Sequence, residues 1–270
     1  MKNINGFKSV GEIGGMEEIL VNFEDLGEIY KDKRLAERYK HWFPIRASEK
    51  LAGLVADLMG DGHIQPAPML RLDYTSADKK ELERFGKEIF DLFGIKGKSR
   101  PCRTNRFGET YNYGVNCKVI SKVLILSGAP AGAKVKQSFR IPTWILENKK
   151  FFRRFISRLY SCEGCVDRKS PWIGIEMWKV LDKMDDGMNF FHDIRNGLDR
   201  FFEIKTSNPF TFKIKPKLPK KVETAPIRIT IRRKESVKRF FKYVGFDDKN
   251  KQFKLEQSIK YWGSVRGGNS

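Results

Sequence analysis

Two dipeptides, Asp61-Gly62 and Glu163-Gly164, close runs with the composition of helices that can approach one another very closely. The first run is Leu54-Val55-Ala56-Asp57-Leu58-Met59-Gly60-Asp61-Gly62. Ala56 and Gly60 lie four residues apart, share one helical face and leave room for a second backbone. The second run, from Ile156 to Gly164, supplies Ser157, Ser161 and Cys162 as small side chains. The C-terminal end of a helix carries partial negative charge and favours a cation. If the two helices pair about a pseudo-twofold axis, Asp61 and Glu163 meet at one end of the interface. Adjacent carboxylates repel one another when bare and hold divalent metal well. Such a pair is a candidate for chemistry assisted by a bound divalent cation.

Other reactive residues carry less. Cys162 and Cys165 have C-x-x-C spacing, but Cys102 and Cys117 lie too far off in sequence to complete a recognisable four-ligand zinc pattern. Cys102 and Cys117 could pair only if they face one another across a hairpin. His63 is read first as a polar strand residue, Asp57 as structural or solvent-facing. Arg158 is a large residue in a run where a small one is expected, which points to a shifted or looser helix crossing.

Charge defines the class of partner. Lys and Arg number 53 against 33 acidic residues, for a formal net charge of +20 and a pI near 9.8. Such a chain attracts polyanions by releasing their counterions, which favours nucleic acid over a merely solubilising surface or a membrane-surface role. The cations are spread along the chain, as suits a folded binding surface. No apolar stretch is long enough to span a bilayer and the N-terminus lacks a signal-peptide core, so the expectation is an intracellular protein, cytoplasmic or organellar, not secreted and not membrane-bound.

The elements that must position the two carboxylates recur in two copies. Residues 1–47 stand apart as a helical N-terminal extension, with amphipathic pieces at Met16–Leu26 and Ile29–Trp42 ending at Phe43-Pro44. The first half covers 48–136, a linker 137–148, the second half 149–262 and a flexible tail 263–270. In the first half, Ser48 caps a helix running to Gly62. A strand at about Leu70–Thr75, a helix at Lys79–Phe93, a hairpin at Ser99–Val115 and a helix at Lys118–Leu126 follow. The second half reads as a helix at Lys149–Gly164, a strand at Trp172–Trp178 and a helix at Met184–Phe202. Strands at Pro209–Lys215 and Ile227–Arg232 and helices at Lys234–Val244 and Phe253–Tyr261 complete it. Lys215–Thr224, basic and proline-rich, reads as a mobile hairpin tip. This is an α+β fold built by internal duplication.

Period-two alternation gives each strand one apolar face and one polar face. The polar faces carry Arg71, Arg100, Arg103, Lys213, Lys215, Arg228 and Arg232, with Asp73 and neighbouring Thr and Asn residues between them. A sheet that is dry on one side and basic on the other can lie in a DNA groove.

The two helix-end motifs, together with Phe139-Arg140-Ile141-Pro142-Thr143-Trp144-Ile145 before the second, resemble the LAGLIDADG homing endonuclease family in its two-motif, monomeric form. The resemblance covers about residues 48–262. It implies a pseudo-symmetric pair of αββαββα units whose two antiparallel sheets form a saddle on double-stranded DNA with a long recognition site. It further implies that Asp61 and Glu163 bind Mg²⁺, or another divalent cation such as Mn²⁺, at the scissile phosphates. A lysine near each active site is also implied, which selects Lys136 and Lys251. The implied function is a site-specific, intron-encoded DNA endonuclease acting as a monomer. The alternatives are a catalytically silent nucleic-acid-binding protein of the same fold, such as an intron RNA maturase, and a transcription regulator.

Overall fold

A computed structural model of the chain describes residues 18–102, 108–167, 172–212, 215–217 and 222–264. The chain enters through β1 (Ile19–Val21), a 3₁₀ turn at Phe23–Leu26, α1 (Glu28–Lys31), α2 (Lys33–Tyr39), a further turn at Lys40–Trp42 and β2 (Ile45–Arg46). β1 and β2 pair antiparallel. The expected helix at Met16–Leu26 is therefore, from Ile19 on, a strand and a tight turn. Val21, Phe23 and Leu26 are buried in the common core, so this segment is packed into the fold and not merely attached to it. Trp42 meets Phe93 edge-on at 5.4 Å.

The first duplicated unit opens with α3 (Glu49–Met59), whose N-terminus is capped by the Ser48 hydroxyl accepting from the Leu51 amide at 3.2 Å. β3 (Gly62–Ile64) and β4 (Leu72–Ser76) follow, then α4 (Lys79–Phe93), β5 (Lys98–Pro101), β6 (Tyr111–Val115) and α5 (Lys118–Leu126). α4 occupies the predicted range and stops at Gly94, whose φ of 65° is left-handed and open to glycine without strain. The four strands form an antiparallel sheet in the order β3-β4-β6-β5. The turn Lys134–Lys136 and α6 (Thr143–Leu146) lead to the second unit. In this link Arg140 donates twice to Asp193, at 2.6 Å each, and the Trp144 indole donates to the Ser127 carbonyl at 3.1 Å.

The second unit repeats the order. α7 (Lys149–Glu163), capped by Asn148, leads into β7 (Gly164–Val166), β8 (Ile173–Val180) and α8 (Met184–Phe202). β9 (Phe210–Thr211), β10 (Lys215–Lys217), β11 (Val222–Ile231), α9 (Lys234–Arg239) and α10 (Lys249–Ser264) complete it, with a π-helical turn at Phe240–Val244 continuing α9. The second sheet runs β10-β11-β8-β7, with β9 also on β11. Of Lys215–Thr224, expected as a hairpin tip, Lys215, Pro216 and Lys217 are strand and pair with Thr224, Glu223 and Val222, while 218–221 lie outside the described residues. Pro216 is tolerated because β10 is an edge strand and needs no amide on its outer side. α3 and α7 pack along one another between the two sheets. Ile173, Ile175, Ile227, Ile229 and Ile231 seal one sheet from beneath, and Leu72, Tyr74 and Val115 the other.

Candidate active site at the end of the paired helices

The crossing of α3 and α7 is tightest where the two acidic residues emerge. A Cβ on Gly60 would stand 2.4 Å from the Cys162 Cβ, so only glycine fits there and the two backbones close on one another. Asp61 and Glu163 follow immediately on either side of this contact. Asp61 has open accessible surface, yet its carboxyl is partly desolvated by the surrounding protein. Burial raises it above the usual range, opposed by Lys134 and Lys251. Glu163 is pushed up to about 7, first by burial and then by the Asp61 charge, with Lys134 and Lys251 again pulling it back. The carboxylates and both lysines thus form one electrostatic cluster.

The geometry chooses between the two lysines of the linker turn. The Lys134 amine donates to the Gly62 carbonyl at 2.9 Å, and its pKa is lowered by burial against the pull of Glu163 and Asp61. The lysine of this turn that reaches the cluster is therefore Lys134, whereas the resemblance selects Lys136. Lys251 reaches the same end of the helix pair. Its amine donates to the Ser161 carbonyl and, at 3.1 Å, to the Cys162 carbonyl, at the negative end of α7. Lys179, which sequence reasoning did not single out, donates to the Lys134 and Gln137 carbonyls at 2.9 and 2.7 Å and lies 3.8 Å over the Phe139 ring. Burial pushes its pKa down to about 8. It pins the turn that presents Lys134. We expect Lys134→Met to impair any reaction at this site far more than Lys136→Met, measured as turnover on a saturating substrate.

A further expectation follows from Glu163. Its folded pKa lies above the ordinary 4.5, so the folded state binds the proton more tightly than the unfolded chain. The charged carboxylate therefore costs stability progressively as pH rises from about 4.5 to about 7, and the cost is constant above that. In a chelator, Glu163→Gln should lose this part of the pH dependence. Thermal unfolding of both proteins across that window measures the difference.

The residue pair that sequence reading treated as ordinary or disruptive proves to be a single device. Asp57 and Arg158, both with 0% side-chain exposure, meet across the helix interface at 2.7 Å. Arg84 from α4 grips the same carboxylate with bonds of 2.9 and 3.0 Å. Burial would raise the Asp57 carboxyl, but Arg158 and Arg84 outweigh it and hold it low. Arg158 also reaches Glu81 at 2.7 Å, while Arg154 joins Glu88 and Asp247. Gly53 makes room for Arg154, whose Nε would lie 2.9 Å from a Cβ there. Asp57 is thus buried and not solvent-facing, and Arg158 is neutralised and does not force the helices apart.

The cysteines are free. Cys162 faces the interface near Asp57, whereas Cys165 is exposed on β7, so the C-x-x-C pair does not converge. Among the described residues no group of three His, Cys, Asp or Glu gathers as a metal cage. Two carboxylates that strain against each other's charge nevertheless suit a hard cation such as Mg²⁺, which keeps waters and takes phosphate oxygens as further ligands.

The outer sheet faces are less uniformly basic than expected. Arg71 is paired with Asp73 at 2.9 Å and Arg228 with Glu176. Arg100 is exposed on β5, and Arg232 is exposed beyond β11. Lys215 lies in β10, and Arg103 and Lys213 lie outside the described residues. No helix among the described residues is long and apolar enough to cross a membrane.

Comparison with known proteins defines the class of fold. The homing endonuclease I-WcaI, solved bound to its DNA recognition sequence, superposes with a TM-score of 0.51 at 15% identity, over 87% of this chain and 97% of that one. Full-length DUF199/WhiA from Thermatoga maritima gives a TM-score of 0.51 at 11% identity, over 91% of this chain and 66% of its own. The chain therefore has the LAGLIDADG fold, two antiparallel sheets about a central helix pair. In sequence it is 26% identical over 226 residues to a tRNA-splicing ligase RtcB of Methanopyrus kandleri, and 24% identical over 200 residues to that of Pyrococcus abyssi. The chain spans 22% of the length of each ligase. No family model matches.

Proposed function

We propose that this chain is a site-specific DNA endonuclease that hydrolyses phosphodiester bonds of a long double-stranded target. The observation that carries the reading is the convergence of Asp61 and Glu163 at the closed end of the α3–α7 crossing, with Lys134 and Lys251 beside them. Divalent magnesium, or manganese in its place, would be held by the two carboxylates and would supply an activated water and charge neutralisation at the scissile phosphate. The chain's own part is positional and electrostatic. Gly60 against Cys162 fixes the spacing of the acidic pair, and Lys179 orients the turn bearing Lys134. The two ammonium groups would offset the negative charge that accumulates on a phosphate undergoing attack. Because both acidic residues lie in one chain, a monomer suffices and the target can be asymmetric.

A second reading, a nucleic-acid-binding protein without cleavage, is favoured by one feature. Lys134 and Lys251 already offset part of the charge of the two carboxylates, which lessens their need for a metal. Intron RNA is a partner class for that reading. The ligase similarity does not favour RNA joining here, because it involves about a fifth of those proteins.

Binding is tested by salt. The affinity for duplex DNA should fall with a log–log slope of about −0.9 per phosphate contacted. A slope near zero by fluorescence anisotropy removes the nucleic-acid reading in both forms. Cleavage is tested with Mg²⁺ and a plasmid carrying the joined flanks of this reading frame. Binding without cutting under any divalent cation selects the second reading.

A further inference from the structure

The strand order β3-β4-β6-β5 of the first sheet recurs as β7-β8-β11-β9 in the second, which adds β10 on β11, but the chemistry of the outer faces differs. Register makes the comparison residue by residue. Gly62 pairs with Tyr74 in the first sheet and Gly164 with Ile175 in the second. Arg71 therefore corresponds to Trp172, Asp73 to Gly174 and Thr75 to Glu176. Thr75 pairs with Asn112, which pairs with Arg100; Glu176 pairs with Arg228, which pairs with Phe210. Arg100 thus corresponds to Phe210. Where the first half places two arginines, the second places two aromatic rings.

These rings form part of a continuous platform. Trp172 lies flat over Gly174, where a Cβ would come within 2.3 Å of the indole. Arg228 stands 5.9 Å from the Trp172 ring and 4.6 Å from Phe212. Phe212 and Phe210 are 5.9 Å apart, and 39% and 37% exposed. Arg232 lies 6.0 Å from the Trp172 ring. Lys215 and Lys217 lie on the adjoining edge strand. The neighbouring outer-face positions of the first sheet, His63, Asp73, Thr75 and Asn112, include no Phe, Tyr or Trp. They offer hydrogen-bonding groups instead.

Exposed aromatic rings read paired base edges poorly but stack unpaired bases well, Arg228 is already engaged by Glu176, and the net charge of +20 supplies attraction to the backbone. We infer that the outer face of the second sheet binds an unpaired nucleic-acid strand by stacking bases on Phe212, Phe210 and Trp172, while the first sheet contacts paired nucleic acid by hydrogen bonding. The inference rests on the second reading given above, nucleic-acid binding without cleavage, and assigns different substrates to the two halves.

The test measures binding of the full chain to oligothymidylate, oligouridylate and a random-sequence duplex by fluorescence anisotropy. Phe212→Ala and the double variant Phe210→Ala/Phe212→Ala remove exposed rings, and their thermal unfolding should match that of the unaltered chain. Stacking contributions of the size seen for aromatic–base pairs predict about tenfold weaker binding of a single strand for each ring removed. Duplex binding should change less than about twofold, since phosphate contacts are retained. A preference for oligouridylate identifies the strand as RNA and a preference for oligothymidylate as DNA. Equal affinity for both supports stacking on either. Single-strand binding that ignores both variants, or falls no more than duplex binding does, overturns the inference. Duplex binding with no single-strand binding sinks this inference alone. Absence of all nucleic-acid binding sinks the proposed function as well.

Discussion

Asp61→Asn and Glu163→Gln should each abolish linearisation of a target plasmid while leaving duplex binding in EDTA within about twofold. Each substitution keeps the shape of the side chain and removes a full negative charge from a site read as holding a divalent cation. The expected loss of cleavage is at least about a thousandfold, equivalent to some 4 kcal/mol of transition-state stabilisation. Neither variant should be less stable than the parent without metal. The charge removed is one that burial and a neighbouring carboxylate disfavour, most clearly at Glu163. That combination, lost reaction with retained or improved folding, separates a catalytic carboxylate from a structural one. A variant that cuts normally under saturating Mg²⁺ refutes the assignment of its residue. Nicking of one strand only would show that the two carboxylates serve separate strands.

The second large effect concerns stability. Arg158→Met should destabilise the fold by about 3–5 kcal/mol, the usual consequence of removing one member of a buried ion pair. Asp57 would keep Arg84 but lose the bonds of 3.0 and 2.7 Å from Arg158 in a site with no access to water. The double variant Asp57→Leu/Arg158→Met should recover at least half of that loss, because an apolar interface needs no counter-charge. Arg84 retains Glu81 and Glu88 in that variant, at 3.1 Å each. One terminal nitrogen of Arg158 already lacks a hydrogen bond, so the native arrangement is itself imperfectly compensated. Equilibrium denaturation of the two single variants and the double gives the coupling energy directly. A double variant as unstable as the sum of the singles would show that the pair contributes nothing beyond its parts.

This ion pair also marks the limit of what a linear reading could do. Arg158 was visible as an oversized residue, and Asp57 as a charge inside an apolar helix. Each looked like an exception because its partner was 101 positions away. Two exceptions of opposite sign on helices expected to cross were, in hindsight, the available signal. Lys134 was missed for a different reason. It and Lys136 lie in one 3₁₀ turn, and which amine points inward depends on how Lys179 ties down the carbonyls of that turn. The β10–β11 hairpin was read as a loop because prolines and lysines suppress strand signals, although an edge strand accommodates both. Its pairing becomes evident only once β11 is seen to run from Val222 to Ile231.

The sequence alone determined the α+β duplication, the helices carrying Asp61 and Glu163, and the close helix approach written in Gly60 and Cys162. These depend on local periodicity, caps and side-chain size, which are properties of neighbouring residues. Only the tertiary structure decided that Asp57 and Arg158 neutralise one another, that Lys134 is the lysine of its turn that reaches the acidic pair, and that the two sheets present different chemistry. Those outcomes depend on desolvation and on cross-strand register, which exist only after distant segments have been brought together.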